Sequence, residues 1–446
     1  MSRARRENTL ETGRWTNAMR ALRSRNYRLF FGGQTTSMIG TWMTRIAMSW
    51  LVYRLTDSAL LLGIVGFAGQ VPAFFLAPLA GVWVDRWDRH RTLVVTQVLS
   101  MVQSFALAGL ALSGTINMPW IVGLALFQGL INAFDMPARQ AFVVEMIDDR
   151  ADLGNAIALN SSIVNGSRLI GPAIAGFVIA AVGEGYCFLI DGVSYIAVIA
   201  SLLAMRLARR PARVSEKRVL HELADGWRYV IESPAIRPLL LLIAISSLMG
   251  MPYSVLMPLM AGNVLHGGAN TLGLLMGASG VGAFLSAASL ALRRSVLGLG
   301  RMIAISSGML GGGLILFGIS RILWVSMLIM LAVGFGLMQQ LAASNTILQT
   351  IVEDGKRGRV MAFYTLAVLG IAPFGSLLAG EIAAHIGAPE TMMLGGSVCL
   401  IGSIWFALHL PRLRSAIRPI YAQLGILPEI ASGVQSASAL QTPPEG

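Results

Sequence analysis

Long runs of apolar residues, separated by short polar or basic connections, recur along the whole chain. Each run is long enough for an α-helix to cross the hydrocarbon layer of a membrane, which takes about 20 residues. An open β-sheet would leave unpaired edges in lipid, so the runs predict helices. The chain is therefore predicted to be an all-α integral membrane protein whose twelve transmembrane helices cover residues 27–53, 59–84, 92–113, 118–141, 155–182, 185–206, 238–261, 270–292, 301–319, 322–345, 357–384 and 390–410.

The basic residues fall almost entirely on one alternating set of connections, which includes both tails. This set carries 30 of the 34 Lys and Arg residues, whereas the other set carries only Arg54 and Arg321. Arg45 and Arg168 are the remaining two, inside predicted spans. Cytoplasmic loops are enriched in Lys and Arg. The pattern therefore predicts an even number of crossings in the cell membrane, with both termini in the cytoplasm.

Composition agrees with residence in a membrane, because 55% of the residues are hydrophobic, only 13% are charged and the mean hydropathy is +0.67. A soluble protein of 446 residues could not cover its surface with so little charge. The net charge of +12 does not indicate nucleic-acid binding, because the arginines lie at the ends of apolar runs. Cys187 and Cys399 lie in apolar stretches and predict buried packing rather than a disulfide or a metal site.

A polar stretch near the middle of the sequence divides the chain. We expect a basic tail over 1–26 with no cleaved signal peptide, a six-helix bundle over 27–206, and a second bundle over 238–410. The linker, 207–237, carries apolar residues at helical spacing from Leu220 to Ile231 and predicts an amphipathic helix on the inner leaflet, or simply a connection. The tail, 411–446, is predicted to be disordered.

The two halves repeat each other in sequence. A shift of 204 places residues 142–183 on 346–387 without a gap, and five glycines coincide: Gly154, Gly166, Gly171, Gly176 and Gly183. A shift of 210 places Gly63, Ala73, Phe74, Ala77 and Arg91 on identical residues. Two six-helix bundles in the same orientation are a transporter architecture, with the substrate site between the halves.

The connection between the second and third helices reads GVWVDRWDRHR over residues 81–91. It resembles the signature loop of the major facilitator superfamily, with Asp88 in place of a glycine. The resemblance implies a cytoplasmic gate formed by Gly81, Asp85, Arg86, Arg89 and Arg91. Without this resemblance, the basic residues of the loop would indicate only that it lies on the cytoplasmic side.

Other stretches resemble particular branches of that superfamily. FDMPARQ (134–140), ALNS (158–161) and RLIGPA (168–173) are similar to the enterobactin-exporter-like branch. The fifth helix resembles the Gly-Pro signature of drug–proton antiporters, which implies roles for Gly166, Gly171, Pro172 and Gly176. The arginine that many such antiporters carry in the fourth helix is Ala125 here, so its role in proton coupling does not transfer.

Polar residues follow single faces of several predicted helices, and ionisable residues in a span are candidates for function. They are predicted to line a wet pathway, although hydrogen bonding that only holds the bundle together is the alternative. We further expect Arg45 to pair with Asp191, and Asp135 with Arg168. The pathway candidates are Gln34, Thr41, Arg45, Gln128, Asn132, Asp135, Asn165, Arg168, Asp191, Gln339 and Glu381.

These features predict a secondary active transporter that exports small amphipathic molecules, such as drugs or siderophores, in exchange for protons. Asp135 is the preferred proton-binding carboxylate, ahead of Asp191 and Glu381. The expected partners are membrane lipid, a small-molecule substrate and protons, without a cofactor or metal, in a monomer. A metabolite facilitator or symporter is the nearest alternative. A membrane-embedded enzyme, or the permease of an ATP-driven pump, is the alternative of another class.

Overall fold

In a computed structural model, residues 19–206, 227–293 and 295–423 are described, apart from the side chains of 77–79, 81–82, 85, 150 and 354. These residues form helices and connections, with no strand among them. Twelve long helical segments follow one another. They are α1 (Arg25–Thr56), α2 (Ala59–Ala68 and Val71–Arg86), α3 (Arg89–Leu112), α4 (Met118–Phe142), α5 (Leu153–Val182), α6 (Glu184–Leu203), α7 (Ile236–Val264), α8 (Ala269–Ala291), α9 (Leu299–Ile319), α10 (Leu323–Ile351), α11 (Gly355–Ile386) and α12 (Ala388–Gln423).

The predicted spans agree with these segments to within a few residues at most ends. Eleven candidate membrane spans are apolar and long enough to cross a membrane; α1, which carries Arg45 and several hydroxyl side chains, makes the twelfth helix. The largest difference lies at the end of α12, which passes through Pro411 and continues to Gln423. Leu413, Ile417 and Tyr421 recur at intervals of four and are buried, so packing extends this helix into the predicted disordered tail.

Part of the predicted linker lies outside the description. Residues 227–232 are helical, in keeping with the end of the predicted amphipathic helix, whereas 207–226 lie outside the described residues. The same is true of the two tails, 1–18 and 424–446. We call the side of the bundle that carries Met19 and Gln423 the terminal face, and the other side the opposite face.

The structure reproduces the internal repeat. Gly183 and Gly387, which the 204-residue shift superimposes, both have positive φ angles, of 92° and 96°, and end α5 and α11 in the same way. α5 packs on α8 of the other half, and α11 packs on α2. These two pairs are equivalent under the repeat.

Each of these two helix pairs meets at glycines near the opposite face. A Cβ atom added to Gly176 would lie 2.9 Å from the Cα of Gly273. A Cβ atom added to Gly63 would lie 3.0 Å from the Cα of Gly380. The shifts of 210 and 204 place Gly63 on Gly273 and Gly176 on Gly380. The two contacts are therefore copies of each other, and we call them the glycine seal.

The halves separate toward the terminal face. The surface of α5 that meets α8 at Gly176, Ala173 and Leu169 continues through Gly166 and Ser162. No atom lies within 4 Å of a Cβ added to Gly166, and Ser162 is exposed. On α11, Leu366, the equivalent of Ser162, is likewise exposed, whereas Gly370, the equivalent of Gly166, is buried, and its added Cβ would lie 2.9 Å from the Phe74 ring of α2. The space between the halves is thus closed toward the opposite face and opens toward the terminal face, with the contact between α2 and α11 extending further toward the terminal face than the contact between α5 and α8.

A hydrogen-bonded bridge joins the two halves beside the glycine seal. The Tyr53 hydroxyl at the end of α1 donates to Oδ1 of Asn263 at the end of α7, at 2.6 Å. The Asn263 amide then donates to Oδ1 of Asp57, at 2.8 Å. Gly262 makes room for the tyrosine, because a Cβ there would lie 2.0 Å from the hydroxyl oxygen.

Replacing a glycine of the seal should open the opposite face. In Gly380→Leu, the added side chain meets the backbone of Ala59 and Gly63, so α2 and α11 must move apart. Spin labels on Ser113→Cys and Ile322→Cys, in connections at the opposite face, should then report a longer distance in double electron–electron resonance. Cys187 and Cys399 are buried and should label poorly. Gly123→Leu is the control, since nothing lies within 4 Å of its Cβ position; an unchanged distance in Gly380→Leu would contradict the seal.

The Tyr53–Asn263 bridge should stabilise the closed opposite face by a smaller free energy than the glycine seal does. Tyr53→Phe removes one hydrogen bond across the halves, which is worth about 1 kcal/mol. The population with a separated opposite face should therefore rise about fivefold, as measured with the same label pair. Tyr186→Phe serves as the control, because Tyr186 is exposed and makes no hydrogen bond within the described residues. Equal populations in the two variants would show that the bridge does not stabilise the closed opposite face.

Candidate functional site

Two arginines share one aromatic ring where the halves begin to separate. The guanidinium carbon of Arg45 on α1 lies 5.0 Å from the centroid of the Trp42 ring. The guanidinium carbon of Arg168 on α5 lies 5.8 Å from the same ring. Neither arginine makes an ion pair or a hydrogen bond with any described residue, and Arg45 is exposed. The cluster of Arg45, Trp42 and Arg168 is called the arginine pair below.

The Gly-Pro segment of α5 explains why the pair forms at this place. A Cβ added to Gly171 would lie 2.5 Å from the Cβ of Trp42, so a glycine is needed for α1 to bring the tryptophan beside Arg168. Pro172 has no N–H, which leaves the carbonyl of Arg168 without its usual helical donor. Gly280 of α8 packs against that carbonyl, since its added Cβ would lie 3.0 Å away.

A second charged cluster lies inside the N-terminal bundle, between α3 and α4. Oδ1 of Asp135 accepts hydrogen bonds from Thr96, at 2.9 Å, and from Gln97, at 2.7 Å. Its Oδ2 pairs with Arg139, one helical turn further along α4. Asp135 is buried and both of its oxygens are occupied. The cluster can hold a charge without water, because the carboxylate has a cation and two further donors.

Asp191 of α6 has a different environment. It is 1% exposed, and its Oδ2 accepts hydrogen bonds from Thr44, at 2.8 Å, and Ser104, at 3.0 Å. Its Oδ1 has no hydrogen-bond donor among the described residues. Gly40 allows this placement, because a Cβ there would lie 2.7 Å from that oxygen. A buried carboxylate without a cation is costly unless it binds a proton.

Both predicted ion pairs are wrong. Asp191 binds hydroxyl groups instead of Arg45, and Asp135 binds Arg139 instead of Arg168. Depth along the helices suggested partners at similar heights, but depth does not fix the direction in which a side chain points. The i to i+4 spacing of Asp135 and Arg139 on one helix was the signal that could have identified the second pair.

Tyr195 lies one helical turn beyond Asp191 on α6, and its hydroxyl lies 3.4 Å from that of Thr41 on α1. Asp191 lies in the part of α6 nearest the opposite face, whereas Asp135 lies in the part of α4 nearest the terminal face. The two buried carboxylates therefore lie at different depths of the N-terminal bundle.

The other predicted pathway residues of the N-terminal half are buried or partly buried. Gln34 is buried, and Gln128 donates to Ser100 and Asn132, at 3.2 Å each. Asn165 donates its amide N–H to the carbonyl of Ser161.

Two candidates from the C-terminal half do not line the open space in this conformation. Gln339 is fully buried and accepts hydrogen bonds from Ser286 and Ser289 of α8, so it joins α10 to α8. Glu381 is exposed near the opposite face, with His385 at 3.7 Å. Away from the helix ends, the charged groups of the described spans are thus concentrated in the N-terminal half, with Glu381 and His385 as the exception near the opposite face.

The loop between α2 and α3 is held by ion pairs and aromatic stacking. Arg89 pairs with Glu145 at 2.8 Å, and Arg91 lies 3.7 Å from Asp88, while Arg86 is exposed. The surroundings of Gly81 and the side chain of Asp85 lie outside the described part of the structure. Three nearly parallel rings, of Trp83, Trp87 and Phe134, fix the loop against α4, with centroids 5.9–6.1 Å apart.

Sequence reasoning missed Trp42, Tyr195 and the Tyr53–Asn263 bridge. A weak signal existed for the bridge, since Tyr53 and Asn263 are equivalent under the 210-residue shift. Trp42 lies three residues before Arg45, on a neighbouring position of the same helical face. Within the described residues, no group of three or more His, Cys, Asp or Glu side chains is placed to hold a metal ion.

Comparison with known proteins gives the same fold and adds relatives. The chain is 28% identical to the staphyloferrin A transporter of Staphylococcus aureus, over 85% of this chain and 95% of the relative. It is 27% identical to the multidrug efflux pump Tap of Mycolicibacterium fortuitum, over 85% of this chain and 94% of the relative. A crystal structure of a POT family transporter in complex with 5-aminolevulinic acid superimposes with a TM-score of 0.71 at 10% identity, covering 87% and 97% of the two chains.

The family described as transmembrane secretion effectors matches residues 16–423, which is nearly the whole chain. The two relatives are named as transporters and the solved structure has the same fold, which agrees with the prediction from the loop motif and the repeat. The chain belongs to this family of major facilitator superfamily transporters.

Proposed function

We propose that the protein is a proton-coupled exporter of small amphipathic molecules that works by alternating access. The observation that carries this proposal is the pair of repeat-related interfaces, closed by glycines toward one face and open toward the other. A substrate site at the base of such an opening is accessible from one side at a time. The names of the relatives, a siderophore transporter and a multidrug efflux pump, support small molecules as cargo.

The same two interfaces can account for the change of access. α5 with α8 and α11 with α2 are equivalent, so a rocking motion of one bundle against the other would open both glycine contacts together. Closure toward the terminal face would bring the exposed surfaces around Ser162 and Leu366 into contact. Because the seal consists of backbone contacts rather than interlocking side chains, it can part without repacking either bundle.

The buried carboxylates would provide the coupling. We infer that Asp191 takes up a proton, because it has no cation to compensate its charge, and that Tyr195 and Thr41 link it to Asp135 and Arg139 nearer the terminal face. Protonation and release at opposite faces would exchange one proton for substrate. One charge moved through the membrane potential is worth about 2.3 kcal/mol per 100 mV, which is enough to drive modest accumulation.

The orientation follows from the distribution of arginine. The terminal face carries nearly all of the basic connections, so it would be cytoplasmic, and the chain would reside in the cell membrane as a monomer surrounded by lipid. The open space then faces the cytoplasm, where an exporter must load its substrate. Transport rather than catalysis is proposed, because the family and the named relatives are transporters and the charged groups of the spans suit passage and gating.

Reconstitution tests the whole proposal. Purified protein in liposomes, without ATP, should show counterflow of some members of a chemically diverse set of compounds. An imposed pH gradient should drive their net movement in the direction opposite to that of protons. Uptake in the same direction as protons would indicate a symporter instead, and dependence on ATP and a second chain would indicate a pump.

Asp191→Asn tests the proton step separately from binding. The asparagine keeps an acceptor for Thr44 and Ser104, so folding and exchange of labelled for unlabelled substrate should persist. Transport driven by the pH gradient should fall to the level of empty liposomes, because the amide cannot bind a proton at neutral pH. Glu232→Gln, in an exposed ion pair with Arg228, is the matched control and should retain full coupling. Gradient-driven transport at the wild-type rate in Asp191→Asn would assign coupling to another group.

A further inference from the structure

The arginine pair lies at the base of the space that opens toward the terminal face. Arg45 is on the face of α1 that carries Tyr53, eight residues below the bridge. Arg168 directly precedes Leu169, whose Cα would lie 2.8 Å from a Cβ added to Gly280 of α8. Below this point the two halves separate. By helical rise, Arg45 is about 16 Å from the end of α1 and Arg168 about 21 Å from the end of α5, which is deep within the membrane.

Among the residues that the structure describes, no acidic group forms an ion pair with either arginine. The groups close enough to interact with Arg45 are Arg168, which has the same charge, and the Tyr195 ring. Asp135 is occupied by Arg139, and Asp191 points at Thr44 and Ser104.

Acidic residues are also absent from most of the C-terminal half. The sequence contains no Asp or Glu between Ile236 and Val352 or between Gly355 and Gly380. The wall that faces the arginine pair across the opening therefore cannot supply a carboxylate.

Two cations of the same sign repel each other, and the Trp42 ring that both approach supplies only a weak cation–π attraction. The arrangement would instead be stabilised by an anion that enters from the open side. Two guanidinium groups beside a flat ring suit a planar carboxylate attached to an apolar body, since each can donate a pair of hydrogen bonds.

We propose that Arg45 and Arg168 form an anion site, and that the exported molecules carry a carboxylate which these arginines bind while an apolar portion lies on Trp42. This inference rests on the proposed transport function for its role, but the site itself is a property of the resting protein. It makes the substrates acids rather than amines. Arginine here recognises cargo, and the protons are handled separately by Asp191 and Asp135.

Binding tests the site without requiring transport. Thermal unfolding of the purified protein is followed with 4-phenylbutyrate, with its neutral amide 4-phenylbutyramide, and with 4-phenylbutylamine, and again with the 2-naphthylacetate series. The carboxylates should raise the Tm of the wild type, whereas the amides and amines should not. Sodium chloride at matched concentration is included, and stabilisation by chloride equal to that by the carboxylates would reduce the site to one for simple ions and overturn the substrate assignment.

Variants locate the effect. In Arg45→Gln with Arg168→Gln, the carboxylate-dependent rise in Tm should disappear and the apparent Kd should increase by at least about tenfold. Arg45→Lys with Arg168→Lys should keep part of the effect, because charge remains without the planar fork. Arg28→Gln, an exposed residue of the same helix, is the control and should bind as the wild type does.

The unliganded variants separate recognition from structure. If the arginines serve the fold, the double glutamine variant should melt well below the wild type. If they serve an anion, removing two like charges should leave the unliganded Tm equal or higher. A clear fall in that Tm, wild-type carboxylate binding by the double variant, or preferential stabilisation by the amines would each overturn the proposal.

Transport distinguishes this inference from the proposed function. The same three-member series are offered to proteoliposomes under a pH gradient. Failure of the wild type to move any compound while the arginine-dependent Tm shift persists would overturn the transport proposal and leave the anion site standing. Transport that favours the amines, and is unaffected by the double glutamine substitution, would confirm a transporter and overturn the anion site.

Discussion

The conformation of this protein depends on close contact between helix backbones at two equivalent places. Gly63 with Gly380, and Gly176 with Gly273, bring helices of different halves together so closely that no side chain fits between them. In lipid there is little hydrophobic force to hold helices together, so dispersion contacts over such small residues supply much of the attraction. The location of these contacts near one face decides where the protein is closed, and therefore on which side its interior is exposed.

The charged residues, unlike the two equivalent glycine contacts, are distributed unequally between the halves. The ionisable groups inside the spans are concentrated in the N-terminal half, where Asp135 has a complete set of partners and Asp191 has only hydroxyl groups. The C-terminal half contributes amides, such as Gln339, that bind neighbouring helices. The two repeat-related bundles thus differ in chemistry: the N-terminal one carries most of the ionisable groups within the spans, and the C-terminal one is largely neutral there.

The arginine pair connects these two features. It lies directly below the glycine seal, so a molecule bound there is in contact with the element that must open to release it. Gly171 and Pro172 contribute to both features. Gly171 allows Trp42 to reach Arg168, and Pro172 leaves free the Arg168 carbonyl against which Gly280 packs. A segment whose sequence resembles an antiporter signature therefore lies between the arginine pair and the contacts of α5 with α8.

The sequence alone determined the number of helices, their approximate ends and the repeat, because hydrophobic length and periodicity are local properties imposed by lipid. It also indicated the ionisable residues, since charge in an apolar run is conspicuous. Only the tertiary structure decided their partners. Arg45 lies beside Trp42 instead of pairing with Asp191. The helix α12 continues to Gln423 because Leu413, Ile417 and Tyr421 pack against neighbouring residues and are buried. The rotation of each helix about its axis depends on which small residues meet across the bundle. Because this is a property of pairs of helices, it cannot be predicted from the sequence of one helix.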